Sequence, residues 1–205
     1  MKKIYYFDNN ATTRVHDEVK KEMEPFFTKL YGNPSSMHFF GGQVQKYVDE
    51  SRKKISLLLG CLPEEIIFTS CGTESDSTAI YSALKVNPDK KHIITSAVEH
   101  PAVINLCKHL ETQGYSVTYL NVNEDGMIDI NDLKSAIRPD TAVVSIMWAN
   151  NETGVIFPVE EIADICHEKG VLFHTDAVQA AGKIDIDLSK NKIDMLSISG
   201  HKLHS

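Results

Sequence analysis

The residues best suited to covalent chemistry lie near the C-terminus. An apolar run from Ile193 to Ile198 indicates a buried strand, and Ser199-Gly200 directly after it is a turn signal. His201 and Lys202 are therefore expected at the carboxyl end of this strand, where open α/β sheets bind ligands. Burial makes a lysine easier to deprotonate, and only the neutral amine forms a Schiff base with a carbonyl compound. A surface lysine after a strand accounts for this stretch equally well, so other parts of the chain must decide.

Polar side chains also follow the other apolar runs. Directly after predicted strands come Ser70, Cys71, Gly72, Thr73 and Glu74; Glu99 and His100; Asn150, Asn151, Glu152 and Gly154; and Asp176 with Gln179. If the strand ends are neighbours, a helix start, an imidazole, an amide, a carboxylate and the lysine share one crevice. Free N–H groups at a helix start favour a phosphate. A carboxylate after a buried strand either caps the next helix or pairs with a cation or a protonated ring nitrogen.

Each of these residues also has a purely structural explanation. Ser70 is of a helix-capping type, His100 before Pro101 suits a cap, and Asn151 suits a turn. For any one residue the two interpretations are equally good. Their shared position at one edge of a single predicted sheet favours a functional site.

The elements that position these residues alternate regularly. Predicted strands are 66–68, 92–95, 116–120, 142–147, 171–174 and 193–198, and predicted helices are 17–30, 43–59, 74–84, 101–112, 130–137 and 159–169. This alternation predicts a three-layer α/β/α fold with a mainly parallel sheet. Pro25 is expected to kink or split the first helix. No turn carries G-x-G-x-x-G or a P-loop motif, so a dinucleotide or P-loop site lacks its main signature.

Composition disfavours several other functions. The 205 residues include 21 basic and 28 acidic ones, and a net charge of -7 disfavours binding to nucleic acid or to a membrane surface. No signal peptide and no long apolar run is present, so we expect a cytoplasmic protein. The four cysteines form no C-x-x-C pair, which indicates free thiols, and no metal site is predicted. Because the chain stops shortly after Lys202, we expect it to be a piece of a longer protein.

Seven segments carry a family resemblance. They are Phe7-Asp-Asn-Asn-Ala-Thr-Thr13, Tyr31-Gly-Asn-Pro-Ser-Ser36 with His38, Phe68-Thr-Ser-Cys-Gly-Thr-Glu74, Thr95-Ser-Ala-Val-Glu-His100, Asn150-Asn-Glu-Thr-Gly154, His174-Thr-Asp-Ala-Val-Gln179 and Ser197-Ile-Ser-Gly-His-Lys202. In this order they resemble the large-domain portion of cysteine desulfurases of the housekeeping and nitrogen-fixation type. These are pyridoxal-phosphate (PLP) enzymes of the class V aminotransferase family with the type I PLP fold. The resemblance assigns residues 1–15 to the active-site and small-domain region, and 16–205 to a PLP-binding large domain that is incomplete at its C-terminus.

The resemblance implies a role for each matched position. Lys202 holds PLP as a Schiff base and acts as acid and base at the substrate Cα, with His100 as a second catalytic residue that stacks on the ring. Asp176 pairs with the pyridine nitrogen and keeps it protonated. The remaining cofactor-binding positions are Gln179 at the ring hydroxyl, Gly72, Thr73, Ser199 and His201 at the phosphate, and Asn151 at the cofactor and the substrate carboxylate.

The activity that the resemblance implies is a transferase reaction on L-cysteine. L-Cysteine becomes L-alanine, and its sulfur becomes an enzyme persulfide for iron–sulfur cluster assembly. The expected partners are an iron–sulfur scaffold protein as sulfur acceptor and a second copy in a homodimer. The alternatives are a selenocysteine lyase or another class V PLP enzyme, and a non-catalytic PLP-binding fragment.

Two departures from the family pattern concern the nucleophile. The persulfide-forming cysteine and the substrate-binding arginine of the family follow the lysine, so neither lies in this chain, and we expect the chain alone to be nearly inactive. Cys71 occupies a position where many relatives have glycine. We interpret Cys71 as a thiol at a helix start with no catalytic role, and Cys107 and Cys166 as core residues.

Overall fold

The structure, a computed structural model, describes residues 4–205. Its strands are β1 (His92–Ser96), β2 (Ser116–Leu120), β3 (Thr141–Ser145), β4 (Leu172–Asp176) and β5 (Met195–Ser197). Its α-helices are α1 (Asp17–Thr28), α2 (Phe39–Leu59), α3 (Gly72–Val86), α4 (Pro101–Thr112), α5 (Ile130–Ala136) and α6 (Val159–Glu168). Short 3-10 turns lie at Pro63–Glu65, Leu188–Lys190 and Gly200–Lys202. Among residues 4–205, no helix is both long enough and apolar enough to cross a membrane.

The described chain divides into two compact units. The sheet unit consists of residues 69–184 and 191–199. The terminal unit consists of the described residues up to 68, together with 185–190 and 200–205. The domain boundary that the sequence suggests after residue 15 stays a prediction.

The sheet unit contains one parallel sheet in the order β2-β1-β3-β4-β5. Every residue of β1 and β3 is buried, as expected for strands covered on both faces. His174 of β4 contacts α3, so its neighbour Phe173 faces the opposite side, where α6 packs on the same strand. The predicted α/β fold with flanking helices and a parallel sheet is therefore confirmed.

Apolar side chains of α3, α4 and the central strands form a continuous core in the sheet unit. Its buried members are Ile80, Ala83, Leu84, Ile93, Val103, Leu106, Cys107, Leu110, Ala142 and Val143. The helical members recur at spacings of three and four residues, which places them on one face of each helix. This packing fixes α3 and α4 against the central strands.

The terminal unit contains α1 and α2. The His38 side chain caps α2 by accepting a hydrogen bond from the Gly41 N–H at 3.2 Å, and Gly60 ends the helix with a φ of 71°. Helix α1 runs without a break through Pro25, so the alternative of a split helix is wrong.

One predicted strand is absent. Residues 66–68 are apolar but pair with no strand in the described part of the chain, and Ile67 is 74% exposed. The Ile66 carbonyl accepts a hydrogen bond from the Arg52 guanidinium, which also lies over the Phe68 ring at 4.8 Å. The Ile66 carbonyl is therefore bonded to an arginine of α2 and not to the backbone of a neighbouring strand.

Several predicted boundaries shift by a few residues. Helix α4 has the predicted bounds, whereas α2 and α3 begin earlier than their spacing suggested, at Phe39 and Gly72. Strand β4 continues beyond the predicted end to Asp176, and β5 is shorter than the apolar run that predicted it. Asp176 is therefore the last residue of a strand and not the first residue of a turn.

Candidate active site

The candidate site residues of the sheet unit follow the carboxyl ends of parallel strands. His100 follows β1, Asn151 follows β3, Gln179 follows β4 and Ser199 follows β5. Because these strands are parallel neighbours, their carboxyl ends form one edge of the sheet. Strand β2 lies on one side of β1, and the next strand in sequence, β3, lies on the other side of β1. Open α/β sheets bind ligands at such a switch point.

The start of α3 is held at this edge. A methyl group in place of a Gly72 hydrogen would lie 3.4 Å from Val178 Cγ2 and 3.5 Å from Ser199 Cβ. Gly72 therefore lies against the segments that follow β4 and β5. The Cys71 side chain makes no capping hydrogen bond, so the N-cap side chain does not take up the first-turn N–H groups. A helix start of this kind stabilises an anion.

Asp176 places a carboxylate at the end of β4. It is 7% exposed, and its Oδ1 accepts a hydrogen bond from the Val178 N–H at 2.9 Å. Ser197 is its register partner on β5. Gln179 is half-buried, and its Oε1 accepts a hydrogen bond from Lys183 Nζ at 2.7 Å. The Asp176 carboxyl group is thus nearly buried, with its Oδ1 held by a backbone N–H.

His100 and Asn151 differ in how the chain holds them. The His100 Nδ1 accepts a hydrogen bond from the Ala102 N–H at 3.1 Å, so His100 caps α4 as the purely structural explanation requires. This bond uses Nδ1 and not Nε2, and the His100 residue is exposed. Asn150 organises the next turn, since its Oδ1 accepts hydrogen bonds from the N–H groups of Glu152 and Thr153, each at 2.9 Å. Asn151 is half-buried in that turn.

Lys202 and His201 belong to the terminal unit. The Lys202 Nζ donates hydrogen bonds to the carbonyl oxygens of Asn10 and of Ala11, the latter at 2.8 Å. The His201 Nδ1 lies 3.2 Å from Thr12 Oγ1, and burial together with the Lys202 charge lowers the His201 pKa. The Lys202 side chain is therefore held by the backbone of residues 10–11 within the terminal unit.

Three buried titratable residues near the edge were given no role by the sequence. Burial, and then repulsion from Asp176, raises the pKa of Asp76 to about 7. Burial raises the pKa of Glu99 to about 8, although hydrogen bonds from Ser96 and Met147 oppose the rise. Burial also lowers the pKa of His174 to about 3, so this imidazole is neutral at pH 7.

A sequence signal for Asp76 does exist. Asp76 shares the inward face of α3 with Ile80, Ala83 and Leu84, at a spacing of four, seven and eight residues. A carboxylate at an inward helix position is unusual and often marks a functional cluster. The alternation of β4 likewise places His174 on the same face as Asp176.

The four thiols have different environments. Cys71 is exposed and makes no capping hydrogen bond, but the nearby Glu74 backbone N–H would stabilise its thiolate, and this is the chief reason that its pKa is lowered. Burial raises the pKa values of Cys107 and Cys166 to about 12, which agrees with their prediction as core residues. Cys61 is half-buried, and burial raises its pKa as well.

Comparison with known proteins identifies the class. The family described as Aminotransferase class-V matches residues 5–205, so the chain belongs to the class V aminotransferases. Two curated relatives are the cysteine desulfurase of Trichormus azollae, 55% identical over 202 residues, and the cysteine desulfurase NifS of Azotobacter vinelandii, 55% identical over 201 residues. Each match covers 98% of this chain and 50% of the relative. The chain thus spans about half the length of the curated relatives it matches.

Solved structures agree with the family assignment. A protein named NifS-like superimposes with a TM-score of 0.94 at 42% identity, covering 98% of this chain and 56% of that chain. A structure described as SspA in complex with cysteine superimposes with a TM-score of 0.95 at 39% identity, covering 98% of this chain and 58% of that chain. The resemblance that the seven motifs carry is therefore confirmed.

The residues of the sheet unit fit PLP, the cofactor that this family implies. The first turn of α3 has no capping side chain at Cys71 and lies against Ser199, which suits a phosphate group. A nearly buried carboxylate at Asp176 suits a protonated ring nitrogen.

Proposed function

We propose that this chain belongs to a PLP-dependent cysteine desulfurase. The observation that carries the proposal is the placement of an uncapped helix start and a nearly buried carboxylate at the carboxyl edge of one parallel sheet. Relatives named cysteine desulfurase, 55% identical over 98% of the chain, support the same function.

The proposed cofactor contacts come from several short segments. Gly72 and Thr73 bind the phosphate through their backbone N–H groups, with Ser199 and His201 as further donors. Asp176 pairs with the ring nitrogen and keeps it protonated. Gln179 donates a hydrogen bond to the ring hydroxyl.

The proposed catalytic residues are Lys202 and His100. PLP, when bound, supplies an electron sink that stabilises negative charge at the substrate Cα. The Lys202 amine provides the cofactor attachment, and it also holds and moves the proton at the substrate Cα. His100, fixed by its capping bond to the Ala102 N–H, presents Nε2 as a second proton-handling group. Asn151 orients the substrate carboxylate.

The proposed reaction converts L-cysteine and an enzyme thiol into L-alanine and an enzyme persulfide. The carbon–sulfur bond of cysteine breaks, and a sulfur–sulfur bond forms between the cysteine sulfur and the enzyme thiol. The hydrogen lost by the enzyme thiol equals the hydrogen gained at the Cβ of cysteine, which becomes the methyl group of alanine. The enzyme persulfide would pass its sulfur to an iron–sulfur scaffold protein, and the desulfurase would act as a cytoplasmic homodimer. These partners and this location rest on the family resemblance.

Borohydride trapping tests the proposal. The 205-residue chain is mixed with substoichiometric PLP, reduced and digested, and the pyridoxyl-bearing peptide is located by mass spectrometry. We expect the label on Lys202, because the proposal gives this amine the cofactor. Lys202→Arg, which keeps the charge, should remove the label, whereas Lys192→Arg should not change it. A label spread evenly over surface lysines, or absent from Lys202, would contradict the proposal.

A further inference from the structure

Two segments that carry proposed site residues are hydrogen-bonded to each other at the carboxyl edge of the sheet. The post-β1 segment, residues 97–100, ends at His100. The post-β3 segment, residues 146–154, contains Asn151. Both segments belong to the sheet unit. The spacing of His100 and Asn151 therefore depends on how these two segments are joined.

Two nearly buried side chains join the segments, and their bonds are reciprocal. Oε1 of Glu99, which is 6% exposed, accepts a hydrogen bond from the Met147 N–H at 2.9 Å. Nδ2 of Asn150, which is 9% exposed, donates a hydrogen bond to the Val98 carbonyl at 3.1 Å. Each segment thus contributes one side chain that bonds to the backbone of the other. Both side chains immediately precede a proposed site residue, and the roles proposed above use neither of them.

The Asn150 side chain uses both ends of its amide group. Its Oδ1 accepts hydrogen bonds from the N–H groups of Glu152 and Thr153, each at 2.9 Å, which close the turn of the post-β3 segment. Its Nδ2 donates to the Val98 carbonyl and lies 3.5 Å from Met147 Sδ. The reverse orientation of the amide would place its NH₂ group against two N–H donors. Asparagine therefore closes the turn with one atom and reaches the other segment with the other.

Further bonds extend this link to the neighbouring elements. The His100 Nδ1 accepts a hydrogen bond from the Ala102 N–H at 3.1 Å, which holds the imidazole at the start of α4. The Trp148 N–H donates a hydrogen bond to the Asp176 carbonyl at 2.9 Å, which joins the post-β3 segment to the end of β4. The two segments and the end of β4 therefore form one hydrogen-bonded framework.

We propose that Asn150 and Glu99 are positioning residues that fix His100 relative to Asn151 by joining the two segments. The inference rests on the proposed function, in which His100 contacts the cofactor and Asn151 orients the substrate carboxylate. Groups that act on one bound molecule must be held at a fixed spacing, because a displacement of about 1 Å can lower a reaction rate about 100-fold.

Two substitutions of Asn150 separate the link between the segments from the closure of the turn. Asn150→Ser keeps a hydroxyl that can accept a hydrogen bond from the N–H two residues on, but serine is too short to reach the Val98 carbonyl. Asn150→Asp keeps the acceptor of the turn and replaces the donor to Val98 with a second oxygen. Glu99→Gln is the matched control, because its amide oxygen can still accept the bond from the Met147 N–H.

Amide hydrogen exchange of the 205-residue chain without cofactor, followed by NMR, tests the link. The Ala102 N–H reports on the His100 ring that it bonds, and the Ile93 N–H of β1 reports on the stability of the sheet. We expect both Asn150 variants to speed exchange at Ala102 relative to Ile93 by about fivefold, the effect of one net hydrogen bond. Glu99→Gln should leave this ratio unchanged. A ratio that stays at the wild-type value in the Asn150 variants that fold would overturn the proposal.

A double-mutant cycle on PLP affinity separates positioning from general packing. The affinity is measured for the wild type, Asn150→Ser, His100→Ala and the double variant. If Asn150 acts through His100, Asn150→Ser should weaken PLP binding about fivefold when His100 is present and much less when it is absent. Equal losses in both backgrounds would contradict the positioning role. A wild-type chain that binds no PLP would instead contradict the proposed function, and the exchange experiment would still decide whether Asn150 holds the His100 ring.

Discussion

Replacement of Glu99 by glutamine should change how stability depends on pH. Burial raises the pKa of Glu99 from its ordinary value of 4.5 to about 8. The folded chain therefore keeps a proton that the unfolded chain releases, and the free energy of unfolding falls as pH rises from about 4.5 to about 8. At about 1.36 kcal/mol per pKa unit, the full loss is about 5 kcal/mol.

The structure indicates why glutamine is the suitable replacement. Oε1 of Glu99 accepts hydrogen bonds from Ser96 Oγ at 2.6 Å and from the Met147 N–H at 2.9 Å, and the amide oxygen of glutamine can accept both. Oε2 has no hydrogen-bond partner among the described residues, so its replacement by an NH₂ group of similar size breaks no hydrogen bond. We therefore expect Glu99→Gln to match the wild type near pH 5 and to exceed it in stability near pH 9.

Urea unfolding between pH 5 and pH 9 measures the effect. The slope of unfolding free energy against pH should differ between wild type and Glu99→Gln by about 1.4 kcal/mol per pH unit between pH 5.5 and 7, which is the contribution of one proton. Glu168→Gln, at an exposed position on α6, should leave the slope unchanged. Equal slopes for wild type and Glu99→Gln would refute the conclusion that Glu99 is protonated in the folded chain.

Two further predictions concern thiol reactivity and packing. At pH 7 a maleimide should modify exposed Cys71, whose pKa is lowered, well before Cys107 and Cys166, whose pKa values rise to about 12, and peptide mapping would show the order. Modification of Cys107 or Cys166 in the folded chain would contradict their burial. Phe173→Ala should lower the free energy of unfolding by about 3–5 kcal/mol, because the ring is fully buried, and Phe27→Ala, at a 73% exposed position, is the control. A loss below about 1 kcal/mol at Phe173 would show that the site relaxes around the cavity.

Local signals predicted most of the helices well. The start of α4 follows from a capping histidine before a proline, both of which act within a single turn. The alternation of short apolar runs with helical spacing likewise predicted the α/β class. These features depend on neighbours along the chain, so the sequence carries them directly.

The residues 66–68 illustrate the limit of local patterns. Their apolar character favours a strand, but a strand exists only if another backbone satisfies its N–H and C=O groups. In this chain the Arg52 side chain contacts the Ile66 carbonyl and the Phe68 ring. The sequence of residues 66–68 itself does not predict the contact with Arg52.

The sequence by itself determined the family, the parallel α/β class and the set of polar residues that follow its strands. It did so because turn residues, caps and apolar runs are local, and because seven ordered motifs are specific. Only the tertiary structure decided the strand order and the burial of Asp76, Glu99 and His174 near Asp176. Their protonation depends on neighbours that are distant in sequence and on the removal of water, and both arise only when the sheet and α3 pack together.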